Sequence, residues 1–142
     1  TPKPSSAASD VYKRQTQYKP TPDGLSGNDD LGQMSAWLMF TGLGFYPVTP
    51  ASNEYAIGRP FVDQAALNLP NGKRFTVRAE GLTEATPYVA KVTLNGKPLT
   101  RAYLRHEELI AGGDLVFTMS ATPNKTWATK AADRPTSMTG YR

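Results

Sequence analysis

The sequence predicts an α+β chain in which one buried helix is followed by a small antiparallel β-sheet or sandwich. Three observations carry this reading. An apolar run at helical spacing occupies residues 31–43, the period drops to two after Pro50, and two Asn-Gly pairs stand where hairpin turns need them. With 142 residues, the chain has room for one ordinary domain or a piece of a larger one.

Residues 1–15 lie outside this pattern. Ser5 to Gln15, SSAASDVYKRQ, resembles a translated transposon-type sequencing adapter codon for codon. Such a scar is excluded from fold reasoning. Native sequence is therefore expected to begin no earlier than Thr16, with the upstream part of the protein missing and residues 1–15 unstructured.

Residues 16–50 read as a loop and a helix. Pro20-Thr-Pro-Asp-Gly24 is turn chemistry. Leu31, Met34, Trp37, Leu38, Phe40 and Leu43 then suit a helix of about 12–14 residues. Asp30, with Gln33 three residues on, resembles a capping box. Gly42 and Gly44, followed by Pro47, supply the stop. Met39 and Phe45 make the run apolar nearly all round, so the helix reads as buried rather than amphipathic.

Residues 51–123 read as strands. Phe75, Val77 and Ala79 alternate with Thr76, Arg78 and Glu80; Ala90, Val92 and Leu94 alternate with Lys91 and Thr93; Leu115, Phe117 and Met119 alternate with Thr118 and Ser120. These are half-buried antiparallel strands. Further strands are expected around Tyr55–Ile57 and Ala66–Leu69, and one helical turn over Leu104–Ile110. At Asn71-Gly72 and Asn95-Gly96 both central turn positions are expected to take positive φ. Residues 124–142 read as an irregular tail, with its last dozen residues disordered.

Composition removes several function classes. Zero cysteines exclude a disulfide scaffold and a thiolate metal site. The single histidine, His106, supports neither a zinc site nor a Ser/His/Asp triad. No apolar run reaches 18 residues, so no membrane span is expected. The net charge of +4 shrinks once residues 1–15 are set aside, because the rest carries 13 basic and 11 acidic side chains. The basic residues do not cluster beside aromatic ones, which argues against a nucleic-acid partner.

The chemistry centres on SGNDDLGQMSAW, Ser26 to Trp37. Asp29 and Asp30 sit at the mouth of the helix. Either could cap it by accepting backbone N–H bonds. Either could instead be a carboxylate kept ionised as a general base. Spacing alone does not decide.

The longer run SGNDDLGQMSAWLMFTGLGFYPVTP, with VTLNGKPL, YLRHEELIAGGDLVFTMS and PNKTW downstream, resembles glycoside hydrolase family 92, the calcium-dependent exo-acting α-mannosidases. The similarity extends over nearly all of residues 18–127. The resemblance implies a parent with a β-sandwich and an (α/α)6 barrel, this helix being the last part of the barrel. It implies hydrolysis of terminal mannose from glycans with inversion, and calcium as cofactor with ligands that stay unassigned. Asp30 matches the general base and Asp29 is the weaker catalytic candidate. Asn28 stands at an often acidic position and can orient water without accepting its proton, while Gln33 supports the loop or the sugar. Inversion also needs an acid roughly 6.5–9.5 Å from the base, and the family's acid lies upstream, so this chain alone is expected to be inactive. A glycan substrate implies a periplasmic or secreted location. The alternative reading is a stand-alone β-rich carbohydrate-binding or structural module.

Overall fold

The computed structural model describes residues 12–13, 15–49 and 51–136. They divide into two compact units, residues 1–39 and 40–142. Most of the adapter-like segment lies outside the described residues. Tyr12, Lys13 and Gln15 are described, and against expectation their backbone is helical, as is that of Thr16 and Gln17. The Thr16 hydroxyl donates to the Tyr12 carbonyl at 2.7 Å.

Within the first unit, a loop closes between Tyr18 and Leu25, which form an isolated antiparallel bridge. Lys19 N donates to the Gly24 carbonyl at 2.8 Å, and Gly24 N donates to Thr21 O at 2.9 Å. A Cβ on Gly24 would stand 2.0 Å from the Lys19 oxygen, so the loop admits no side chain there. A 3₁₀ turn, Asp30–Gly32, then leads into helix α1, Gln33–Leu43. The Tyr18 ring stacks on Trp37 with centroids 5.4 Å apart, and its hydroxyl donates to Met34 O at 3.0 Å.

The helix begins at Gln33 rather than Leu31 because Leu31 and Gly32 have φ of 63° and 82°, outside helical space. Its apolar circumference is incompletely covered: Gly42 and Leu43 are buried, while Met39 stays 65% exposed. The two C-terminal glycines have separate jobs. Gly44, at φ 85°, ends the helix in the left-handed conformation. Gly42 lies inside the helix, where a Cβ would come within 3.0 Å of the Phe61 ring.

The second unit contains eight strands among its described residues: β1 Phe45–Tyr46, β2 Glu54–Ile57, β3 Gln64–Asn68, β4 Arg74–Glu80, β5 Tyr88–Leu94, β6 Lys97–Pro98, β7 Tyr103–Arg105 and β8 Gly113–Ser120. A short helix, α2, His106–Ile110, joins β7 to β8. It starts later than expected because Leu104 and Arg105 pair with β2. Strands β1-β2-β7 form one antiparallel sheet, and the other is ordered β3-β4-β8-β5-β6.

The second sheet corrects the all-antiparallel expectation. Strand β8 enters between β4 and β5, antiparallel to β5 but parallel to β4, with Val77 opposite Leu115. Parallel neighbours need a long crossover, and β5 through α2 supply it. The buried alternation is kept, so Phe75, Val77, Val92, Leu115 and Phe117 fill the core with Phe45 and Leu104.

The turns differ from each other. Asn95 and Gly96 have φ of 51° and 75°, as a type I′ turn requires. At the other hairpin Gly72 alone is left-handed, at 78°. Pro70 fixes its own φ near −65°, and Gly72 N donates back to Leu69 O at 3.0 Å. That bond closes a type I turn, with Gly72 as the left-handed residue after it.

The tail is ordered well past Pro123. The Asn124 side chain donates to Ala90 O at 2.7 Å, and Trp127 Nε1 donates to Leu99 O at 2.8 Å. Thr136 N donates to the Glu54 carboxylate at 2.7 Å. The expected disorder of the last dozen residues therefore does not hold for residues 131–136, and residues 137–142 lie outside the described residues.

Candidate functional site

The turn ahead of α1 is organised by Asp29. Its carbonyl accepts Gly32 N at 2.6 Å and Gln33 N at 2.9 Å. Its carboxylate accepts Met34 N at 2.7 Å and Ser35 N at 3.0 Å on Oδ1, and the Ser35 hydroxyl at 2.6 Å on Oδ2. The residue just before the helix, Gly32, has no side chain, so Asp29 reaches over from three positions earlier to take two of the helix's orphan donors.

The expected capping box between Asp30 and Gln33 is thus replaced. The left-handed pair Leu31-Gly32 reverses the chain and brings Asp29, not Asp30, to the helix end. The Ser35 hydroxyl is the main reason the Asp29 carboxyl is held below its ordinary range. The Ser35 N–H adds to this, slight burial opposes it, and the Met34 N–H adds further.

Asp30 is different. It opens the 3₁₀ turn with an exposed side chain, and among the described residues its carboxylate has no hydrogen-bond partner. Asn28 and Gln33 are exposed on either side of it in sequence. The structure therefore leaves three of the four expected residues exposed, Asn28 in the loop, Asp30 in the 3₁₀ turn and Gln33 at the first position of α1, and draws the fourth, Asp29, into the framework of the turn. Leu31, between Asp30 and Gly32, is fully exposed.

Two supporting residues were not singled out from sequence. Ser35 sits at the third helical position, where serine often bonds to nearby groups rather than to the helix. Tyr18 acts across a separation that carries no local signal. His106 is structural: its ring stacks on Tyr55, and Nδ1 lies 2.8 Å from the Tyr55 hydroxyl. Among the described residues no three His, Asp or Glu side chains converge as a metal site, and no helix is long and apolar enough to cross a membrane.

The family model for the glycosyl hydrolase family 92 catalytic domain matches residues 2–121. The chain belongs to glycosyl hydrolase family 92. This family 92 chain is 41% identical to a GH92 α-mannosidase from Bacteroides thetaiotaomicron solved in complex with mannoimidazole, with a TM-score of 0.80. That match covers 88% of this chain and 16% of the mannosidase. A GH92 inverting mannosidase from the VPI-5482 strain of the same species is 43% identical, with a TM-score of 0.77, over 89% of this chain and 17% of that one. An uncharacterized secreted glycosidase from Arthroderma benhamiae is 33% identical over 126 residues, which is 87% of this chain and 16% of that protein. The family 92 chain thus spans about one-sixth of the length of these relatives.

Proposed function

We propose that the parent enzyme is an inverting α-mannosidase acting on terminal mannose of glycans, and that this chain contributes its general base, Asp30. The observation that carries the reading is the division between the two aspartates. Asp29 is committed to the turn on both oxygens, which leaves Asp30 as the open carboxylate.

In the proposed step Asp30 takes a proton from water as the water oxygen attacks the anomeric carbon. The bond to the leaving oxygen breaks on the opposite face, where an acid from elsewhere in the parent protonates it. Asn28 orients the water and Gln33 supports the loop or sugar. The isolated chain is inactive in this reading because it lacks the acid. Calcium belongs to the parent enzyme in the same reading. Among the described residues no three acidic or histidine side chains converge, so in this reading most of the six to eight oxygens that a calcium ion takes come from elsewhere in the parent. The glycan substrate and the secreted fungal relative support an exported parent. A stand-alone binding module has less support, because the matched family model is that of a catalytic domain.

The test is Asp30→Asn in the full-length enzyme. Turnover of an α-mannoside should fall about 10²–10⁴-fold with the melting temperature unchanged. Near-normal turnover would overturn the assignment of the base.

A further inference from the structure

We propose that Ser35 and Asp29 are positioning residues for the general base: they lock the turn that carries Asp30 and exchange no protons themselves. The proposal rests on the assignment of Asp30 as base. It departs from the expectation that Asp29 shares in the acid–base chemistry.

Three observations lead there. The turn contains two successive left-handed residues, Leu31 and Gly32, and the first is not glycine. A side chain in that conformation is strained, and such strain persists where the surroundings over-determine it. Leu31 is fully exposed, so its own packing among the described residues does not hold the conformation. What holds it is the set of five hydrogen bonds that converge on Asp29, two on the carbonyl and three on the carboxylate. Four of the five donors are backbone N–H groups. The fifth, the Ser35 hydroxyl, is the one side-chain donor among the described residues, and among them it alone occupies Oδ2.

A carboxylate engaged in this way is a poor proton acceptor, because protonating it would weaken the bonds that shape the turn. Its depressed pKa is consistent with that. A displaced catalytic group costs rate steeply, about 10²-fold for a misplacement near 1 Å, so the lock acts on turnover and not merely on stability.

The test compares kcat, KM and the pH profile of the full-length enzyme on an α-mannoside. Ser35→Ala should lower kcat about tenfold with KM nearly unchanged, a tenth of the full misplacement effect. Ser35→Thr, which keeps the hydroxyl, should restore most of it. Asp29→Ala should lose about 100-fold, whereas Asp29→Asn keeps an acceptor oxygen for the two N–H groups and should lose much less. In Ser35→Ala and Asp29→Asn the acidic limb of the kcat profile should remain, because Asp30 still takes the proton. Loss of that limb in Asp29→Asn, or a deficit as large as that of Asp30→Asn, would make Asp29 a proton-transfer group and overturn the proposal. A lowered melting temperature with unchanged kcat in both Ser35→Ala and Asp29→Ala would also overturn it. Full turnover by Asp30→Asn would remove the premise, and that variant tells the two failures apart.

Discussion

Leu31 holds a left-handed backbone conformation that costs a non-glycine residue about 1–2 kcal/mol. Its exposed side chain returns nothing by burial among the described residues. Leu31→Gly should therefore leave the stability of the chain unchanged or raise it by up to about 1 kcal/mol, despite glycine's greater freedom when unfolded. Urea denaturation of the two proteins checks this, and a clear loss would show that Leu31 packs on something. Glu108 supplies the pH-dependent case. Partial burial pushes its carboxyl up, but the Arg101 guanidinium and the Arg105 N–H outweigh that and hold it below the usual 4.5. A carboxyl whose pKa is depressed on folding stabilises the fold above its unfolded value, and that contribution is lost as the pH falls below 4.5 through the folded value. Glu108→Gln should accordingly flatten the acid side of the melting-temperature profile. It should also lower stability at neutral pH, since Arg101, whose Nε already lacks a partner among the described residues, would lose its carboxylate. At this scale the candidate site was half legible. The NDD run located the turn, but which aspartate would cap depended on the reversal at Leu31, and no pattern of residue types announces a left-handed leucine.

Two glycines with similar φ separate strain from space. At Gly72 a Cβ would meet nothing within 4 Å, so Gly72→Ala should cost about 1–2 kcal/mol of backbone strain alone. At Gly44 the Cβ would lie 3.0 Å from both the Phe117 ring and the Pro60 nitrogen. Crowding of that kind adds about 1–3 kcal/mol, so Gly44→Ala should be the more damaging by that margin in denaturant titrations. Equal losses would mean that the core around Phe117 yields freely. The elements themselves were largely readable. Strands β4, β5 and β8 announce themselves by alternation, and the Asn95-Gly96 turn by its residue pair. Two things were hidden for physical reasons. Alternation records which face is buried and not the direction of the neighbour, so the parallel pairing of β4 with β8 left no trace. At Asn71-Gly72, Pro70 imposed its own turn.

For the molecule as a whole, the chain amounts to about one-sixth of its solved relatives. It also exposes large apolar side chains at Leu31, Met39 and Val48. Exposed apolar groups promote association where they lie together in a contiguous patch. The isolated chain should therefore grow in apparent mass with concentration in light scattering, and Met39→Gln should reduce that growth; a concentration-independent monomer would count against it. What sequence supplied at this scale was the family, through a run of residues too long to arise from patterning alone. What it did not supply was the order of the tail, where Asn124, Trp127 and Thr136 are held by bonds to distant positions. The placement of β8 has a bearing on synthesis. A ribosome delivers the two hairpins, β3–β4 and β5–β6, before residues 113–120 exist, and the inner edges of both await the same late strand. Until then β4 and β5 are unpaired edges of the kind that recruit other chains. The nascent protein is exposed to its neighbours on the β4 edge for the time it takes to translate from Glu80 to Ser120, and then one strand closes both halves at once.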